Sequence, residues 1–251
     1  MSGHSKWANI KHKKAKSDAQ RGQAFSKVTK EIIVAARHGG GNPDANIRLK
    51  AAIQKAREIN LPTDTINRAI KRGTGELEGV QYEELVYEGY GAAGVALMVE
   101  VTTDNRNRAA SDIRYIFSKH GGNMGESGSV SWMFKRMGYI AVDREECRFG
   151  EDDLMMASLD AGAQDFQAEE DTYEVFTDPE GLDSVREALH RNGIKPTIVE
   201  ITMVPMTTVT VAGDDVGKVL RLIDALEEHD DVQKVHANFS ISQEEMVKYA
   251  G

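Results

Sequence analysis

The sequence predicts an α+β protein of three domains: an N-terminal three-helix bundle, then an α/β domain with a ferredoxin-like βαββαβ domain inserted into it. Three observations carry this reading. Apolar residues recur at helical spacing up to about residue 72, and beyond the Gly-rich joint Gly73–Gly79 the pattern changes to alternating strands and helices. Residues 137–204 spell β-α-β-β-α-β, the split βαβ order, between two stretches that read as parts of one domain. The charge divides at the same joint: residues 1–75 hold 16 Lys/Arg against 5 Asp/Glu, and the remainder hold 15 against 35. The expected domains are 1–78, then 79–136 together with 205–251, and 137–204 as the insertion.

Residues 1–22 read as a polar, basic arm in which Trp7 and Ile10 are the sizeable apolar groups. Phe25, Val28, Ile32, Ala35 and Ala36 then mark a helix ended by Gly39-Gly40-Gly41, with Lys27, Lys30 and Arg37 expected on the opposite, outward face. A second helix is expected from about Asp44 to Asn60, striped by Leu49, Ile53 and Ala56 and stopped before Pro62. A third starts at Thr63 with Asp64 well placed for the helix dipole, buries Ile66, Ala69 and Ile70, and turns Arg68, Lys71 and Arg72 outward. The next domain reads as two βαβ halves. Val95–Val101 and Val130–Phe134 are expected strands flanking the helix Arg106–His120. Thr207–Val211 and Val232–Phe239 flank the helix Val216–Glu228. Within the insertion the strands are Tyr139–Val142, Ala163–Glu169, Thr172–Phe176 and Thr197–Val204, with helices Glu151–Ala161 and Leu182–Asn192.

Hydrophobic content of 40% and charge of 28% are ordinary for a globular protein. The best apolar run, Val95–Val99, is far below the roughly 18–20 residues that span a bilayer, so no membrane partner is expected. The start Met1-Ser2-Gly3-His4-Ser5-Lys6 lacks the apolar core of a secretion signal, and the single Cys147 leaves no internal disulfide and no Cys-based zinc site. A cytoplasmic location is the resulting expectation.

Gly89-x-Gly91-x-x-Gly94 matches a dinucleotide fingerprint by letter, but that chemistry needs a helix after the glycines. Here they run into the expected strand Val95–Val101, so a Gly-rich bend is the better reading and no cofactor is expected. The acid clusters Glu151-Asp152-Asp153 and Glu169-Glu170-Asp171 lack calcium-loop spacing, and the seven histidines show no H-E-x-x-H pattern. No G-x-S-x-G, P-loop or Cys-nucleophile signature is present, so no catalytic or metal residue is expected.

The basic segment is where chemistry concentrates. Lys6, Lys11, Lys13, Lys14, Lys16 and Arg21 can neutralise phosphates, and Trp7 and His12 among them can stack on bases. Lys27, Lys30, Arg68, Lys71 and Arg72 extend the same charge over the helical unit. Thr103-Asp104-Asn105-Arg106-Asn107-Arg108 opens a helix with two arginines in its first turn, against the macrodipole. Arg106 and Arg108 are there either to hold an anion or to pair with Asp104, Asp112 or other acids. The loop Gly121–Gly128 after that helix permits either close approach of a ligand or a plain helix stop and turn. No heptad or other dimer device is visible, which points to a monomer or weak oligomer.

Several motifs resemble the YebC/PmpR family. They are Gly3-His4-Ser5-Lys6-Trp7, Gly39–Asn46, Asn67-Arg68-Ala69-Ile70, Tyr87-Glu88-Gly89-Tyr90-Gly91, Asp104–Arg108 and Phe117–Asn123, and the likeness runs from residue 3 to about 240. The resemblance implies the same three-domain plan. It also implies a non-enzymatic regulator of gene expression, described either as a DNA-binding transcriptional regulator or as a ribosome-associated translation factor. Both descriptions set nucleic acid, DNA or ribosomal RNA, against the basic N-terminal domain. An enzyme or small-molecule sensor using the Gly-rich bends is the alternative of another class.

Overall fold

The computed structural model describes residues 18–251 except 146, 170, 243, 246, 247 and 249–251. Among the described residues three helices come first: α1 (Asp18–Gly39), α2 (Ile47–Glu58) and α3 (Thr63–Gly73). Their apolar stripes converge on one core in which Ile32, Leu49, Ala52 and Ala56 are fully buried, with Val28, Ile53 and Ile66 beside them. Burying one such Leu or Ile is worth roughly 1.5–3 kcal/mol, so Leu49→Ala strikes the centre of the bundle. Close helix contact also needs Gly73: a Cβ there would stand 2.4 Å from the Ile33 carbonyl oxygen on α1.

The turn from α1 to α2 is built around Asn46. Its Nδ2 donates to the carbonyls of Ala35 (2.8 Å) and Gly40 (2.9 Å), while its Oδ1 accepts from the Leu49 N–H (3.0 Å). One buried side chain thus caps the start of α2 and satisfies carbonyls at the end of α1. Gly40 takes the left-handed conformation (φ 80°) that such a reversal requires.

The following region is an antiparallel sheet with helices on it. β1 (Glu83–Tyr90) and β2 (Ala96–Thr103) form a hairpin, α4 (Arg106–Lys119) follows, and β3 (Asn123–Met124) returns to pair with β1. The sheet order is β3-β1-β2-β9, completed by α7 (Asp214–Glu227) and β9 (Val232–Ala237). Leu97, Val99, Ile113, Phe117, Leu222, Ile223, Leu226 and Val235 are fully buried in it. The expected pair of βαβ halves is therefore corrected. Of Val130–Phe134 only Phe134 is strand, the first residue of β4 (Phe134–Asp143); Val130 to Met133 form a loop and a 3-10 turn, the Val130 N–H being bonded to the Glu88 carboxylate (2.7 Å) instead of a strand. Thr207–Val211 reduces to the two-residue β8 (Val209–Thr210), parallel to β10 (Phe239–Ser240).

The split βαβ runs β4 (Phe134–Asp143), α5 (Glu151–Asp160), β5 (Asp165–Ala168), β6 (Thr172–Thr177), α6 (Leu182–Arg191) and β7 (Ile198–Pro205). The all-antiparallel order β5-β6-β4-β7 is the ferredoxin-like arrangement. Ile140, Leu154, Val175, Val185 and Leu189 fill the space between sheet and helices. This fold, Trp132–Thr210 with Asn238–Ser240, is one compact unit; the helical bundle, the β3-β1-β2-β9 sheet and α7 belong to the other.

Candidate nucleic-acid interface

Of the basic stripe of α1, Arg37 is exposed, its Nη1 donating to the Tyr82 carbonyl (3.3 Å), but Lys27 and Lys30 do not face outward. Gln23, Lys27 and Lys30, spaced i, i+4, i+7, all turn to the C-terminal end of α7. Gln23 Nε2 donates to the Glu228 carbonyl, Lys27 Nζ to that of Glu227 (2.5 Å), and Lys30 Nζ to that of Asp230 (2.9 Å). The last carbonyls of a helix lack intrahelical partners and carry the negative end of its dipole, so cations suit this place. Lys30 is buried, 8% exposed, and also pairs with the Asp231 carboxylate at 2.6 Å. The expectation of Lys27 and Lys30 as outward cations is corrected accordingly. Burial lowers the Lys27 amine to about 8, with the Glu227 and Asp230 carboxylates partly opposing the shift.

Asp231 is the hub of a charged cluster. It accepts from Lys30, from Arg108 Nη2 (2.8 Å) and from the Thr103 hydroxyl (2.8 Å), and Arg108 Nη2 also reaches Asp104 (2.6 Å). Burial alone would raise the Asp231 carboxyl; hydrogen bonds from Arg108, Lys30 and Thr103 prevail and hold it at about 2. The same bonds, to Asp231 and Asp104, push the Arg108 guanidinium further up. Of the two readings of Thr103–Arg108, pairing is therefore what Arg108 shows. Asn105 caps α4 by accepting from the Arg108 N–H (3.0 Å), and Arg106 beside it is exposed with no carboxylate in ion-pair reach among the described residues.

The cations of α3 are different. Arg68, Lys71 and Arg72, at i, i+3 and i+4 and hence neighbours on one face, are exposed and have no carboxylate within ion-pair distance among the described residues. Arg68 Nε makes only a long contact to the Asp64 carbonyl (3.4 Å). Lys50 and Arg57 on α2 are likewise exposed and unpaired among the described residues, whereas Arg48 is held by Glu84 and Lys55 by Glu31 (3.5 Å). Between α2 and α3 lies an open cleft of about 470 Å³, floored by Ile53, Ile66 and Ile70 and edged by Arg57, Asn67 and Lys71. Arg21 is exposed near the start of α1; Lys6, Trp7, Lys11, His12, Lys13, Lys14 and Lys16 lie outside the described residues.

The Gly-rich segments have internal duties. Gly89 lies within β1, next to its last residue, and Gly91–Gly94 form the bend between β1 and β2, so a strand and not a helix follows them. A Cβ at Gly89 would meet the Asn123 carbonyl oxygen at 2.6 Å. Loop Gly121–Gly128 is organised by buried Glu88, whose carboxylate accepts from the N–H groups of Gly128 (2.8 Å), Val130 (2.7 Å) and Ser131 (2.8 Å). Burial works to raise the Glu88 carboxyl, but these donors outweigh it and the group sits below its ordinary range. The backbone nest that a ligand anion would need thus holds a protein carboxylate. Sequence reasoning missed both Glu88 and Asp231: each acts on residues 40 or more positions away, and nothing local marks it. Among the described residues no cluster of His, Cys, Asp or Glu is arranged to hold a metal, and no helix is long and apolar enough to cross a membrane.

Comparison with known proteins gives a consistent likeness. Residues 5–76 match the model of the TACO1/YebC protein N-terminal domain, and residues 82–239 match that of the TACO1/YebC second and third domain. A protein of Pelotomaculum thermopropionicum named a probable transcriptional regulatory protein is 57% identical, over 96% of this chain and 99% of its own. One of the same description from Dictyoglomus turgidum is 57% identical over 97% and 98%. The crystal structure of a conserved hypothetical protein from Aquifex aeolicus superposes with a TM-score of 0.82 at 51% identity, covering 93% of this chain and 96% of that one.

Proposed function

The chain belongs to the TACO1/YebC family, and we propose that it is a non-catalytic regulator of gene expression that binds nucleic acid through the helical bundle. The observation that carries this reading is the exposed set Arg68, Lys71 and Arg72 on α3, joined by Lys50 and Arg57 on α2. Exposed cations with no carboxylate in reach among the described residues can neutralise phosphates and release counterions. Lys6, Lys11, Lys13, Lys14, Lys16 and Arg21 extend the same charge toward the N-terminus, with Trp7 and His12 available to stack. Arg106 is a further outward cation; Lys27, Lys30 and Arg108 hold the bundle and sheet in place. The names of the relatives support a regulatory role.

Structured RNA, including ribosomal RNA, is the second reading, and one observation favours it over promoter DNA. A recognition helix reads bases with its N-terminal residues, but the first turn of α3 carries Asp64 and its cations sit in the C-terminal half. That placement suits backbone and shape recognition. In-cell crosslinking followed by sequencing of the attached nucleic acid separates the two. Reads dominated by ribosomal RNA would overturn the promoter reading, and reads scattered upstream of genes would overturn the ribosomal one. Absence of any enriched nucleic acid would overturn the proposal itself.

A further inference from the structure

We infer that the outward face of α4 is a second contact surface, a stacking platform for an unpaired nucleic-acid strand. The inference rests on the nucleic-acid reading proposed above. α4 buries Ala109, Ile113 and Phe117. At 100° per residue the opposite face carries Asn107, Ser111, Arg114, Tyr115, Ser118 and Lys119, all exposed. The one carboxylate of α4 borders that face beside Lys119, within a region of the chain where Asp and Glu outnumber Lys and Arg by 35 to 15 beyond residue 75. The helix's own acid, Asp112, sits to one side and faces His229 at 3.4 Å.

Tyr115 is 65% exposed, unusual for a large aromatic, and the Lys119 ammonium stands 5.8 Å from its ring centroid. Arg114, adjacent to it, has no carboxylate in ion-pair reach among the described residues. A ring flanked by two cations and small hydroxyl side chains offers a π-face to a base, charge to the neighbouring phosphates, and hydrogen bonds to sugar and phosphate oxygens. A duplex keeps its base faces stacked and has nothing to lay on Tyr115. The charge complementarity and the exposed ring together select an unpaired strand.

The test measures binding of the full chain to a labelled oligouridine, to an oligothymidine and to a duplex of matching length. Tyr115→Ala is expected to weaken both single strands by about five- to a hundredfold, the usual range for one lost stack, and to leave duplex binding unchanged. Tyr115→Phe keeps the ring and should retain single-strand affinity, while Arg114→Ala with Lys119→Ala should flatten its salt dependence. Loss confined to oligouridine would assign the strand as RNA, and equal loss on oligothymidine would support an unpaired strand of either sugar. Single-strand binding unaffected by Tyr115→Ala, but lost in Lys71→Glu with Arg72→Glu, would overturn the platform and leave the bundle reading standing. Equal losses in the Ala and Phe variants would overturn stacking. A wild-type chain that binds none of the probes would overturn both. Thermal unfolding of each variant verifies that the fold is kept.

Discussion

α1 and α3 each carry a basic stripe in the same small bundle, yet the two have opposite fates. On α1, Lys27 and Lys30 are drawn against the last carbonyls of α7 and the Asp231 carboxylate. On α3, Arg68, Lys71 and Arg72 face outward with no carboxylate to meet them among the described residues. Charge and helical phase alone are the same for both. What separates them is the presence of a distant acceptor: a cation opposite orphan carbonyls is structural, and one opposite solvent is free for a ligand.

The largest expected effect breaks the α1 side. Asp231→Ala leaves Lys30 buried without its counter-charge, and removal of one partner from a buried pair costs about 3 kcal/mol. Chemical denaturation of the full chain checks this, with the matching change in the α3 stripe, Lys71→Ala, staying within about 0.5 kcal/mol as exposed substitutions do. Equal costs would erase the distinction.

Acid sharpens the same comparison. Asp231 titrates at about 2 in the fold against an ordinary 3.8, so the unfolded chain binds the extra proton. Its stabilising contribution is complete above about pH 5 and declines as pH falls through 4 toward 2, and Glu88, also depressed, adds in the same direction. Asp231→Asn should reduce that part of the acid dependence.

The smallest effect has the same sign but the opposite origin, since here it is the charged form that the fold disfavours. Lys27 sits at about 8 rather than 10.5, so between those values the unfolded state holds more protons and stability rises with pH. Lys27→Met removes the rise, which a stability profile from pH 7 to 10 would register.

The helical core was legible because Val28, Ile32, Leu49, Ile53, Ile66 and Ala69 report on neighbours three or four residues away. The ferredoxin-like order was legible for the same reason, one element at a time. β1 was not: Glu83–Tyr90 is largely exposed along its first half and carries three glutamates, so no alternation betrays it. Val130 looked like strand because it is fully buried, but what buries it is a loop gathered on Glu88. For the candidate site, the outward phase of α3 could be read from local spacing. The internal use of Lys30 could not, since its partner lies 201 residues away, and Arg108 likewise depends on Asp231 at a distance of 123.

The central claim is that the ligand-facing cations are those of α3 and not Lys27 and Lys30 of α1. The slope of log affinity against log salt tests it directly, measured on a nucleic-acid probe that the wild-type chain binds. Each lost phosphate contact lowers that slope by about 0.9 on duplex DNA and about 0.7 on a single strand. The expected result is a drop of about 2 to 3 for the combined Arg68→Ala, Lys71→Ala and Arg72→Ala variant, and an unchanged slope for Lys27→Met. A slope that survives the α3 substitutions, or falls with Lys27→Met instead, would contradict the account.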